Sequence, residues 1–186
     1  MIYVVTGFMR SGTSMLMQAC EAGGMAVVKS ETRDEVNRIH SDAWYQPNPV
    51  SLYETPVLEM QVSGWPRGHD GCVVKVVAPW LQHLAVHDYR VVVMRRDPEE
   101  IRQSYEAAFH AKVTVDQIEQ VMKHLLEQLS NRRDIRDVHE LAYTDVIAHP
   151  SLALSQLHWP FDLDGAAAVI DATRYRFRGD RLVVGL

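Results

Sequence analysis

The chain has 186 residues, 47% hydrophobic and 23% charged, enough to bury a core of its own and to suggest a single domain over residues 1–186. Its net charge of −5 argues against a general affinity for nucleic acid or an anionic membrane, and no apolar run approaches the roughly 20 residues of a membrane span. Cys20 and Cys72 lie outside any CxxC or Cys/His ligand spacing, so they read as two buried thiols in a reducing cytoplasm, with no metal site and no disulfide framework.

Met1 to Val5 lacks a basic leader and runs into glycine, so Ile2 to Val5 reads as a first strand rather than a signal peptide. Thr13 to Ala22 follows as a helix closed by Gly23-Gly24, and Met25 to Val28 as a second short strand. Residues 30–70 hold Pro47, Pro49, Pro56 and Pro66 interleaved with Trp44, Tyr45, Tyr53 and Trp65. They predict helices and loops over one edge of a site, with the aromatic residues either contacting a substrate or roofing a small core.

Val73 to Val77 and Arg90 to Met94 are continuous β-branched runs, the pattern of strands buried on both faces of a parallel sheet. Pro98 to His110 predicts a helix with proline in its first turn. Thr114 and Gln117 form a capping-box pattern, after which Val115, Ile118, Met122, Leu125, Leu126 and Leu129 recur at helical spacing. Leu141 to Tyr143 reads as a strand, and Asp164 to Tyr175 as a last helix capped by Asp164. The alternation predicts a doubly wound α/β fold of P-loop type, a central parallel sheet between two layers of helices.

The sharpest local signal is Gly7-Phe8-Met9-Arg10-Ser11-Gly12-Thr13-Ser14, between the first strand and the first helix. Glycines let such a loop turn its N–H groups toward an anion, and the helix start adds a partial positive charge. Against the P-loop pattern GxxxxGK[ST], Gly7, Gly12 and Ser14 fit, but Thr13 stands where the lysine would be. That substitution argues against ordinary phosphoryl transfer, and Arg10 offers another cation. The second signal is a strand ending in Arg95-Arg96-Asp97-Pro98, with Ser104 following on a helix. Arg96 and Ser104 at the carboxyl end of a parallel strand suit a phosphate.

With these residues the chain resembles the sulfotransferases that use 3′-phosphoadenosine 5′-phosphosulfate. The family's loop carries Lys or Arg followed by Ser-Gly-Thr, here Arg10-Ser11-Gly12-Thr13. Its 3′-phosphate motif is a strand, Arg-Asp-Pro, and a serine eight residues after the arginine, here Arg96-Asp97-Pro98 and Ser104. Tyr143-Thr144-Asp145-Val146, with Pro150 beyond, is similar to the family's Tyr-Glu-Asp-Leu segment.

The resemblance implies that Arg10, Ser11, Gly12, Thr13 and Ser14 hold the phosphosulfate and that Arg96 with Ser104 holds the 3′-phosphate. It also implies that Arg10 stabilises the leaving oxygen and that no metal is required. The acceptor would be a small molecule or glycan bearing a hydroxyl or amine. Cytosolic members place a histidine two residues after a lysine, but Lys75 is followed at that spacing by Val77. The base is therefore sought among Lys75, Glu31 and Glu54, with His83 and His87 read as structural or exposed. Arg174, Arg176, Arg178 and Arg181 form a basic tail that either reaches the 3′-phosphate or an acidic acceptor, or is simply solvated. Two other readings compete: a degenerate P-loop kinase using ATP and magnesium, and a non-catalytic nucleotide-binding protein.

Overall fold

A computed structural model describes residues 1–31, 34–35, 51–62, 64–174, 177–178 and 181–182. In chain order these form β1 (Ile2–Gly7), α1 (Thr13–Ala22), α2 (Val57–Met60), β2 (Val73–Lys75), a 3-10 turn (Ala78–His83) and β3 (Tyr89–Arg95). Then come α3 (Pro98–Phe109), α4 (Val115–Asn131), β4 (Ile135–Ala142), α5 (Tyr143–Ala148), α6 (Pro150–Ser155) and α7 (Leu163–Ala168). A small antiparallel pair, β5 (Phe177–Arg178) and β6 (Arg181–Leu182), follows, with β5 beside α3.

The central sheet is parallel throughout, in the order β2-β1-β3-β4. All six residues of β1 are buried, as expected of a central strand covered on both faces. Its side chains alternate between two cores. Tyr3 and Val5 join Leu16, Met17, Leu154 and Trp159, beneath α1 and α5 to α7. Ile2 and Val4 join Leu81, Ile101, Ile118 and Leu125, beneath the 3-10 turn, α3 and α4. Each fully buried aliphatic side chain contributes about 1.5–3 kcal/mol, so these clusters dominate the cohesion of a three-layer, P-loop-like α/β architecture.

The helix starts follow from local chemistry. The Asp97 carboxylate accepts from the N–H groups of Glu99 and Glu100, and Pro98 presets the first turn of α3. The Thr114 hydroxyl accepts from Gln117 N while the Gln117 side chain accepts from Thr114 N, completing the expected capping box of α4.

Four boundaries differ from the sequence reading. Met25 to Val28 forms no strand beyond a single bridge, Val27 to Val73. β2 stops at Lys75, because Val77 leads directly into the 3-10 turn at Ala78-Pro79. β4 spans Ile135–Ala142 rather than 141–143, and Tyr143 opens a helix. The last helix is capped by Asp162, not Asp164, because the Asp162 carboxylate accepts from Asp164 N and Gly165 N. It ends at Ala168, and the expected endpoint, Tyr175, lies outside the described residues. Cys20 is buried, but Cys72 is partly exposed rather than buried; both are free thiols.

Candidate anion site at the carboxyl ends of β1, β2 and β3

The chain leaves β1, visits β2 on one side, and returns to β3 on the other. The boundary between β1 and β3 is thus a switch point, where the flanking connections part and open α/β sheets bind ligands. The glycine loop sits there. Gly7 has φ +149° and Gly12 φ +102°, conformations that favour glycine. A methyl group on Gly12 would lie 2.5 Å from Tyr143 Cδ2, and one on Gly7 would lie 2.8 Å from the Met94 carbonyl oxygen. Arg10 adopts φ +73° between them. The Ser11 hydroxyl is buried and has no hydrogen-bond partner among the described residues. Among described helices of ten residues or more, α1 alone starts without a side-chain cap. Its first-turn N–H groups have no acceptor within the helix and face the loop.

Three cationic side chains lie about the loop, two on one side and one on the other. On the β3 side, Arg10 Nε donates to Ser104 Oγ at 3.0 Å, and Arg96 Nη1 donates to the Arg10 carbonyl at 3.1 Å. The Arg96 guanidinium lies 4.6 Å from the Tyr143 ring centroid, so Tyr143 packs against both Gly12 and Arg96. Arg96 Nε donates to Glu100 Oε2 at 2.9 Å in a pair whose side chains are each only 7% exposed. Glu100 lies one helical turn beyond Arg96 and orients it, which the four-residue spacing in the sequence permits.

On the β2 side, Lys75 Nζ donates to Ser14 Oγ at 2.9 Å and to the Leu52 carbonyl at 2.6 Å. Glu54 Oε1 lies 3.9 Å from the same nitrogen. The Leu52 segment is held by Asp34, whose carboxylate accepts from Leu52 N at 3.0 Å and from the Ser51 hydroxyl at 2.5 Å. The same Ser51 oxygen accepts from Tyr53 N at 2.8 Å.

Arg10, Ser11, Gly12, Thr13, Ser14, Arg96 and Ser104 therefore gather at one end of the sheet, with Lys75 and Glu54 adjoining. Glu31 is helical and exposed, and among the described residues no hydrogen bond or ion pair joins it to this group. Tyr53 belongs to the core, donating from its hydroxyl to Glu21 at 2.6 Å, and Trp65 packs against the second core cluster. Trp44 and Tyr45 lie outside the described residues, as does Arg176, while Arg178 and Arg181 are described by their backbone in β5 and β6. Asp34, Ser51, Leu52 and Glu100 are positioning groups that the sequence reading did not single out. A cavity of about 590 Å³ adjoins the loop through Phe8, with Pro79, Tyr105, Gln117, Val121 and His124 among its walls.

Among the described residues no three His, Cys, Asp or Glu side chains cluster as a metal ion would require, and no helix is long and apolar enough to cross a membrane. No protein-family model matches the chain, and no curated protein matches it.

Proposed function

We propose that the protein is a sulfotransferase that moves a sulfuryl group from 3′-phosphoadenosine 5′-phosphosulfate to a hydroxyl or amine. The observation that carries this reading is the Arg10 to Ser104 hydrogen bond. It joins the two phosphate-type motifs, 94 residues apart in sequence, in one continuous site. The glycine loop and the start of α1 would receive the 5′-phosphosulfate, with the Ser11 hydroxyl as a further donor. Arg96 and Ser104 would receive the 3′-phosphate.

In the reaction the acceptor oxygen or nitrogen forms a bond to sulfur while the bond from sulfur to the bridging phosphate oxygen breaks. The electron pair and negative charge go to that bridging oxygen, where Arg10 stabilises them; removing such a stabiliser typically costs about 100- to 1,000-fold in rate. Lys75 donates to a hydroxyl and a carbonyl, an arrangement suited to its ammonium form, so it acts as a second cation rather than a base. Glu54, 3.9 Å away, is the better candidate to take the acceptor's proton. Two free thiols suit the cytoplasm as the working compartment.

Calorimetric titration with adenosine 3′,5′-bisphosphate, with ATP and magnesium as control, tests the reading. Micromolar binding of the bisphosphate and little of ATP is expected, falling about ten- to a hundred-fold in Arg96→Met. Binding of ATP alone would instead support a degenerate P-loop kinase, and binding of neither would overturn the donor assignment.

A further inference from the structure

β4 is the outermost strand on its side of the sheet: it pairs with β3, and among the described residues nothing pairs with its other edge. An edge strand of eight residues presents a row of N–H and C=O groups that a further strand would satisfy. Charged side chains usually guard such an edge, and this one carries Arg136, Asp137, His139 and Glu140 around Val138. Val138 is a large apolar side chain left 39% exposed.

The order of those charges is opposed about Val138. One residue out, Asp137 stands on one side and His139 on the other. Two residues out, Arg136 stands opposite Glu140. An antiparallel copy of the strand centred on Val138 therefore sets Val138 against Val138, Asp137 against the His139 imidazole, and Arg136 against Glu140, the last contact occurring twice by symmetry. A parallel copy in register sets every charge against itself. A one-residue slip toward Leu141 sets Asp137 against Glu140, and a slip the other way sets Asp137 against Val138 and leaves Arg136 with no carboxylate opposite it. Opposite charges directly across a strand pair are favourable and like charges are not, so the antiparallel register centred on Val138, which pairs Arg136 with Glu140 twice, is favoured over the parallel copy and the one-residue slips.

We infer that β4 is a self-pairing edge, through which two copies of this chain join in a two-fold dimer with a continuous sheet of eight strands. A two-fold contact uses the same patch on both copies, which is what a sequence antisymmetric in charge provides. Several of these charges already have partners within the chain: Arg136 donates to Asp88 at 2.6 Å, Arg90 lies 3.2 Å from Asp137, and Arg95 lies 3.5 Å from Glu140. The second copy extends these pairs into networks across the junction. Arg136 and Glu140 keep side-chain exposures of 62% and 48%, so both are accessible to it.

Sedimentation of the full chain over a range of about 1 to 200 µM tests the inference, since a dimer forms by mass action. A monomer–dimer equilibrium is expected, with R136E alone and E140R alone each weakening it about ten-fold or more. Mixing the two variants should restore the dimer, because each then offers the other opposite charges at both contacts. Hydrogen exchange of the wild-type protein supplies a readout independent of any variant: the β4 amides should gain protection as concentration rises. A chain that stays monomeric with concentration-independent β4 exchange would overturn the inference. So would a dimer indifferent to both substitutions, or a mixture no better associated than its components.

Discussion

The two ends of the parallel sheet treat their cations differently. At the amino ends of the strands, positive groups meet carboxylates: Arg132 on Asp134 at 2.6 Å, Arg136 on Asp88 at 2.6 Å, and the amino terminus on Asp70, which also meets His87. At the carboxyl ends, neutral oxygens take more of the contact: Arg10 donates to the Ser104 hydroxyl, and Lys75 donates to the Ser14 hydroxyl and the Leu52 carbonyl with Glu54 3.9 Å away, although Arg95 lies 3.5 Å from Glu140. Arg96 stands between these cases, donating to a neutral carbonyl and to Glu100. A neutral oxygen is exchanged for a ligand's charged oxygen with a gain, whereas displacing a carboxylate offsets most of it. The first end is scaffold, and the second is the one that would receive the anion on the function proposed above.

The contrast is broken most severely at the glycine loop. Gly12→Ala brings both a strained φ and a clash with Tyr143, and should lower the unfolding free energy by about 3–5 kcal/mol and abolish bisphosphate binding. Gly24→Ala, at φ +89° with nothing within 4 Å of the added methyl, serves as control. It should cost only about 1–2 kcal/mol and leave binding intact, as denaturant melts and titrations will report.

Arg96→Met should cost about 3 kcal/mol, because it strands Glu100 as a buried charge, and the double variant with Glu100→Gln should recover most of that stability. Binding should stay weak in both, which separates the role of Arg96 in the fold from its role toward the ligand. Next in size is the exchange between ends. Lys75→Met should weaken phosphosulfate-donor binding about ten-fold, whereas Arg136→Ala should change neither binding nor, beyond about 1 kcal/mol, stability.

The smallest effect is with pH. Burial is the largest single influence on Asp134 and opposes its ionisation, but the Arg132 hydrogen bond and charge, together with the backbone N–H groups of His87 and Asp134, outweigh it and hold the carboxyl below the ordinary range. Its contribution is therefore present above the unfolded value near 4 and is lost as pH falls through the lower folded value. Thermal unfolding below about pH 4 should show a shallower fall in Asp134→Asn than in the wild type.

How much of this was legible in the sequence follows from how local each signal was. The glycine loop reads directly, because strand, turn and helix start are contiguous and both glycines are required by close contacts. Arg96 and Ser104 read because a strand end and one helix fix their separation. β4 was visible only at Leu141 and Ala142, since its earlier residues are mostly polar and alternate half-buried with exposed as an edge strand does, instead of forming the apolar run of an interior strand. The clamp on Leu52 was invisible for another reason: Lys75 binds a main-chain carbonyl, which no residue type announces, and Asp34 holds that carbonyl's segment from far along the chain. Asp162 and Asp164 are both plausible caps by composition, and only the geometry of the turn after Gly23 chooses between them.

The opposite edge of the sheet has a quieter consequence. Val73 exchanges backbone hydrogen bonds with Ala26 and Val28, and the Lys75 carbonyl accepts from Thr55 N, so two irregular pieces of chain occupy the outer side of β2. They contribute little to the breadth of the sheet, but among the described residues they leave it with a single open valence, the edge of β4. A molecule that could extend on both flanks would add copies without limit and grow into a filament; one stoppered on β2 closes at a pair.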